Sequence, residues 1–293
     1  MTRRSPLAAL LAAATALLVL PAFAVAAGED FDPSLEFKTD AYWFNLEIGP
    51  FDLSINKAVI YLLLSTAIIC IGGIWIVRGG LRMRPTKAQN LVELVYEFAD
   101  NQIGRQTLPR AAMPTWFPYL ATVFLFIAVN NLISFIPLPM SHEVGTFPAG
   151  LPDLGLYAAT GNINVTFTLA AITFIATLYV GVQAHGVGGY LKTLVPDAPG
   201  AVKPFIFFIE VLSLLLRLVS LSVRLFANML AGHLLIIMAA GFAVLVGSVI
   251  GAVAIPFAVF FYFFEWVLVA GLQAFIFALL SGVYIGYAME APH

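Results

Sequence analysis

Between Pro204 and Met289 only four residues carry a formal charge: Glu210, Arg217, Arg224 and Glu265. His233 and Gln273 are the ionisable or strongly polar side chains that join them in an otherwise apolar run. A charge held near the centre of a bilayer costs ~3 kcal/mol on insertion scales, so such residues point to an ion path or a buried pair. Glu210, Arg217 and Arg224 are spaced by seven. On a helix that spacing lines one face with a drift of ~20° per step. Ser213, Ser220 and Asn228 fall within or close to the same stripe. His233, nine residues beyond Arg224, points roughly 180° away at 100° per residue. The stripe offers a polar route entering near Glu210, while His233 belongs to another compartment, with Glu265 on the next helix as a potential partner. Plainer roles stand beside these. Glu210 and Arg217 could form an i, i+7 ion pair, or Arg217 could snorkel to an interface. His233 could be a satisfied core histidine, and Gln273 could bond a main-chain carbonyl. Asn130 and Asn131 could be interhelical glue or could line water.

The machinery for bond chemistry is missing. The sequence contains no GxxxxGK[ST] phosphate loop, no HExxH, no GxSxG and no acidic metal cluster. His142, His185 and His293 are scattered. Of the 293 residues, 61% are hydrophobic and only 10% charged, and the mean hydropathy is +0.96. Soluble domains run near 25% charged, so a water-soluble enzyme and a disordered chain are excluded. With 14 basic against 16 acidic residues, a net charge of −2, there is no basic field for nucleic acid. The single cysteine, Cys70, excludes an internal disulfide and any cysteine-based metal cluster. The composition is that of an all-α polytopic membrane protein.

Apolar stretches long enough to cross a ~30 Å hydrocarbon core lie at 58–77, 116–138, 163–185, 204–240 and, after a turn expected near Gly241, 243–288. The last two exceed what crossing requires: residues 204–240 would make a helix of ~55 Å. They must tilt steeply, bend, or run partly along the membrane plane. Residues 88–104 are different. Leu91, Val92, Leu94, Val95 and Phe98 recur at helical spacing, interrupted by Glu93, Glu97, Asp100 and Asn101. That pattern predicts an amphipathic helix along the interface, with a soluble linker helix as the alternative.

Residues 1–27 have the marks of a signal peptide: Arg3 and Arg4, an apolar run Leu7–Leu20, and Ala24-Val25-Ala26 for cleavage. An uncleaved first span is the other reading. Residues 28–57 then form an extracytoplasmic segment, and 58–288 the membrane-embedded domain. Basic residues orient the spans. Segment 78–110 carries Arg78, Arg82, Arg84, Lys87, Arg105 and Arg110, and segment 186–203 carries Lys192 and Lys203. The stretches 139–162 and 241–256 carry none. The former pair should face the cytoplasm, which leaves the mature N-terminus outside and the C-terminus inside.

The run Ser220-Leu-Ser-Val-Arg-Leu-Phe-Ala-Asn-Met-Leu-Ala-Gly-His233, followed by Leu272-Gln-Ala-Phe-Ile-Phe-Ala-Leu-Leu280, resembles the membrane subunit a of F-type ATP synthases. Asn131-Leu-Ile-Ser-Phe-Ile-Pro137, Asn162-Ile-Asn-Val-Thr166 and Pro204 through Glu210 support the likeness, which covers about residues 58–288. It implies five transmembrane helices plus an interfacial helix, the last two spans long and steeply tilted around a ring of subunit c. It also implies a peripheral stalk subunit b, the remainder of the ATP synthase complex and a cell inner membrane as surroundings. No cofactor is implied, and ATP chemistry would take place on other subunits.

Carried over by position, Arg224 matches the essential stator arginine and Glu210 a carboxylate on the cytoplasmic side. Asn228 and Gln273 match polar residues near the arginine. His233 matches a position that is Glu in some members and His in others, and Asn131 an asparagine lining the outer access path. Two half-channels would carry protons to and from the ring carboxylates, with Arg224 between them, because a guanidinium stays protonated and cannot relay a proton. Two departures stand out: Ala227 replaces a common glycine, and Glu265 lies eight residues before Gln273 rather than seven, with Trp266 at the expected place. One position rotates a side chain ~100° on a helix, so pairing of His233 with Glu265 requires a bulge. A secondary transporter with a midplane charge site is the competing class. It would show repeat symmetry and broken helices in both halves, and neither is found in the sequence.

Overall fold

A computed structural model describes residues 42–44, 47–48, 51–52, 54–79, 85–135, 157–193, 202–245, 256 and 259–290. The signal-like segment 1–27, most of 28–57 and most of the connection 139–162 lie outside the described residues. Short strands come first: β1 (Tyr42–Phe44), β2 (Glu47–Ile48), β3 (Phe51–Asp52) and β4 (Ile55–Asn56). They form two nested antiparallel ladders, β1 with β4 and β2 with β3. These hairpins were not foreseen; segments this short carry too few alternating residues to signal a strand.

Helices follow: α1 (Lys57–Arg78), α2 (Lys87–Ala99), α3 (Met113–Ser134), α4 (Ile163–Thr193), α5 (Lys203–Leu245) and α6 (Ala270–Met289). Among the described residues five segments are long and apolar enough to span a membrane: Lys57–Ile76, Met113–Ser134, Ile163–Lys192, Lys203–Ile236 and Val259–Met289. An all-α polytopic membrane protein is what the composition led one to expect. Two boundaries need correction. Residues 241–245 are helical, so α5 has no turn near Gly241 and runs on to Leu245. A lone glycine costs a helix only ~1 kcal/mol relative to alanine, too little to end a run flanked by Ala239, Ala240 and Phe242. The second span ends at Ser134 rather than 138.

The chain divides into two compact units. The first comprises Met1–Ser65, Asn130–Ala159 and Asn228–Gly271, the second Thr66–Val129, Thr160–Ala227 and Leu272–His293. In the second unit Ala99, Ile103, Phe117, Leu120, Val180 and Ile285 form a buried core. The amphipathic segment supplies the first two. Thr86 caps α2, its Oγ1 accepting the Gln89 N–H at 3.3 Å, and fills one of the vacant helix-start donors. Leu91, Leu94, Tyr96 and Phe98 remain exposed along α2, as an interfacial helix requires. A π-helical turn, Asp100–Gly104, closes the segment. The Arg105 side chain bridges back to Asp100 at 2.7 Å. Residue Gly186 breaks α4 with φ 72°, a left-handed conformation that glycine adopts without a Cβ penalty. The expected span limit at 185 coincides with that break.

Candidate functional site

In the second unit, α5 has two faces. Leu221, Ser222 and Leu225 are buried, and the Ser222 and Thr166 hydroxyls share a hydrogen bond at 3.3 Å. Leu216, Val219, Val223, Arg224 and Ala227 are exposed. Arg224 therefore projects from the apolar outer face, and among the described residues it has no hydrogen bond or ion pair. Seven residues earlier, Arg217 is held differently. Its Nη2 lies 4.0 Å from Glu210 Oε1, both side chains about one-third exposed at 32% and 34%. The guanidinium carbon sits 5.6 Å from the Tyr284 ring centroid and 5.7 Å from that of Tyr287, within cation–π range. The i, i+7 pair read as one option in the sequence is present, at the outer limit of contact. Beside Arg217 a cavity of about 20 Å³ is lined by Thr173, Thr177, Leu221 and Tyr284, room for about one water molecule.

The first unit holds the other sequence candidates. His233 is 4% exposed and Glu265 8%. The His233 ring stacks on Phe135 with centroids 4.7 Å apart, and its Nδ1 lies 3.2 Å from the Met229 carbonyl. Only a protonated Nδ1 can make that bond, which leaves Nε2 as the acceptor nitrogen. Among the described residues that Nε2 has no hydrogen-bond partner. Oε2 of Glu265 is likewise buried and without a partner among them, as are both polar side-chain atoms of Asn130. Asn131 is different: its Nδ2 donates to the Ala270 carbonyl at 3.2 Å.

Glu265 reaches this cluster through a backbone irregularity. Residues Phe264–Val269 form a π-helical turn, with the Ala270 N–H bonded to the Glu265 carbonyl. A π-turn accommodates one residue more than the α-helical pattern around it. It is the bulge that the eight-residue spacing demands. The carboxylate of Glu265 packs against the Gly232 backbone, where a Cβ would collide with it, so the close approach needs glycine. No hydrogen bond joins Glu265 to His233 among the described residues; the structure brings the carboxylate against the residue preceding the histidine and leaves their free atoms unpaired.

Two hydrogen-bond donors and one contact point in the first unit are absent from the sequence reading. The Tyr262 hydroxyl donates to the Phe135 carbonyl, and Trp266 Nε1 donates to the Leu132 carbonyl at 3.1 Å. Gly232 is the third omission as a contact point. Its signal was available: a glycine inside a helix, next to the one histidine of the span, usually marks a close approach. Gln273 is buried at the start of α6, and Asn228 is half-buried. Among the described residues no cluster of three or more His, Cys, Asp or Glu side chains could hold a metal ion. Cys70 is a free thiol exposed on α1.

Comparison with known proteins bears on the whole chain. A family model described as ATP synthase A chain matches residues 59–286. The ATP synthase subunit a of Rubrobacter xylanophilus is 38% identical over 87% of this chain and 92% of its own length. The subunit a of Brucella ovis is 33% identical over 89% of this chain and 99% of its own. That of Chloroherpeton thalassium is 35% identical, over 83% and 69% respectively.

Proposed function

Given that the chain belongs to the ATP synthase A chain family, we propose that it is the stator subunit of a rotary F-type ATP synthase and forms two offset half-channels for protons. The observation that carries the reading is Arg224: a permanent cation on the exposed apolar face of a membrane-length helix, without a counter-charge among the described residues. A cation so placed costs several kcal/mol unless an opposite charge or water compensates it. Glu210 is fourteen residues away, or ~21 Å along the helix, and already lies beside Arg217. A carboxylate on a rotating ring of subunit c supplies the missing partner each time one passes.

The mechanism follows from protonation states. A proton enters from outside past Asn131, His233 and Glu265 and neutralises a ring carboxylate, which can then face lipid. After rotation it leaves through the second half-channel, past Glu210. The unpartnered buried atoms of Asn130, His233 and Glu265 support an aqueous entry, because buried polar groups are almost always satisfied and water serves where protein does not. With Nδ1–H committed to Met229, His233 Nε2 is free to take a proton and pass it on. Arg224 cannot do so, since a guanidinium stays protonated; it blocks a direct leak and attracts each ionised ring carboxylate. By the family resemblance, Asn228 and Gln273 are assigned to the same polar path. Subunit b and the remaining subunits hold this chain fixed while the ring turns.

The test is ATP-driven proton pumping in inverted vesicles, followed by fluorescence quenching, with assembly checked by immunoblot. Arg224→Ala should abolish pumping in an assembled complex and open a passive leak. Arg224→Lys should also impair coupling, because an amine held on an apolar face within the membrane can lose its proton, as a guanidinium does not. Wild-type pumping by assembled Arg224→Ala would end the proposal. The orientation, N-terminus outside and C-terminus in the cytoplasm of a multi-pass inner-membrane protein, predicts that a cysteine placed at Ser141 reacts with an impermeant reagent applied from outside. Reaction from the cytoplasmic side alone would reverse the topology.

A further inference from the structure

We infer that the π-turn Phe264–Val269 is a positioning device: it absorbs one extra residue and, anchored by Tyr262, Trp266 and Asn131, fixes the Glu265 carboxylate against Gly232. The inference rests on the half-channel reading for the importance of Glu265, and on its own geometry for the device.

Consider the register first. In an uninterrupted α-helix, a residue eight positions before Gln273 is turned ~80° from it, whereas one seven positions before is within ~20°. A π-turn inserts one residue at almost no change in the phase of the flanking helix. The five-residue hydrogen bond from Ala270 N–H back to the Glu265 carbonyl closes over that insertion. Glu265 therefore keeps the phase of a seven-residue spacing although the chain is one residue longer.

Anchoring is the second element. Helices leave their last carbonyls without intrahelical partners, and the end of α3 offers Leu132 and Phe135. The indole N–H of Trp266 and the phenol of Tyr262 donate to those two carbonyls. Asn131 Nδ2, from the same helix end, donates back to the Ala270 carbonyl. The three bonds straddle Glu265 in sequence. They tie both sides of the π-turn to one helix end, whose Phe135 ring also stacks on His233. Trp266, one position after the carboxylate, is thus a positioning residue and not a proton-carrying group.

The experiment compares two length variants of the full chain in the assembled complex. Val267 lies inside the turn and is exposed. Deleting it should convert the π-turn to plain α-helix while leaving Glu265 in phase, so proton pumping should stay within about twofold of the unaltered complex. Inserting one alanine after Val267 gives the turn a second surplus residue and should lower pumping on the order of a hundredfold, as misplacing a reacting group by an ångström or more does. Trp266→Phe, which keeps the ring and loses the donor, should shift the pH profile of pumping and reduce it several-fold, and Val267 deletion in that background should restore it. Glu265→Gln separates the two levels. If it pumps normally, the half-channel reading fails at Glu265. If it fails while the Val267 deletion also abolishes pumping in an assembled complex, or the alanine insertion is tolerated, the positioning device is refuted.

Discussion

The two polar clusters solve the problem of charge in an apolar chain in opposite ways. Around Glu210 and Arg217, the charges are half-exposed, paired at 4.0 Å and supported by two tyrosine rings. Around His233 and Glu265, the groups are buried and each keeps one polar atom without a partner among the described residues. A pair that satisfies itself needs little from outside, whereas a buried group with an open valence is costly. On the proposed half-channel reading, the first cluster holds its charges at a tolerable cost beside the exit, and the second exchanges partners with water as protons enter.

That contrast can be broken by mutation. The largest expected effect in the buried cluster is that of the double variant His233→Ala with Glu265→Ala, which should reduce proton flux to background. The single His233→Ala should leave a partial flux, since general acid–base groups each contribute about 10²–10⁴-fold and water can bypass one relay. Normal flux in the double variant, measured by the same quenching assay, would remove the pocket from the proton path.

Gly232→Ala comes next. Gly to Ala inside a helix ordinarily stabilises by ~0.5–1 kcal/mol, but here the new methyl meets the Glu265 carboxylate. Flux should fall about tenfold or more with assembly intact, because on the proposed path the displaced group is a reacting one. Unchanged flux would show that Glu265 has room to move. The smallest effect is reserved for the half-exposed pair. Arg217→Gln should lower flux only a few-fold and change stability by less than ~1 kcal/mol, the usual size of a partly solvated ion pair. A complete block by Arg217→Gln would erase the distinction between the clusters and make Arg217 a second essential cation.

The candidate residues were legible because their types are rare in so apolar a chain. Arg224 and His233 stand out in a run with almost no other charge, and their offset of nine residues correctly separates an exposed side chain from a buried one. The five spans were visible for the same reason: twenty apolar residues have few other uses. Illegible features depended on tertiary contacts between residues far apart in the chain. Nothing local tells that Trp266 reaches the Leu132 carbonyl across 134 positions. Nothing in the hydropathy marks Phe264–Val269 as a π-turn, since its residues are as apolar as those around it; only the misfit of one residue in a spacing hinted at it. The end of α5 was misjudged because Gly241 is a weak breaker when its neighbours favour helix.

The outward-facing guanidinium of Arg224 also bears on how the protein is made. On the proposed stator reading, a free copy of the chain carries a permanent cation on an exposed apolar helix face, and a surrounding bilayer can answer only by thinning or by admitting water. Each response makes the lone subunit a membrane defect until a counter-charge arrives. On that same reading its safe lifetime is governed by how soon it meets the ring that supplies the counter-charge, which makes matched synthesis of the two, and degradation of surplus copies, the expected consequence.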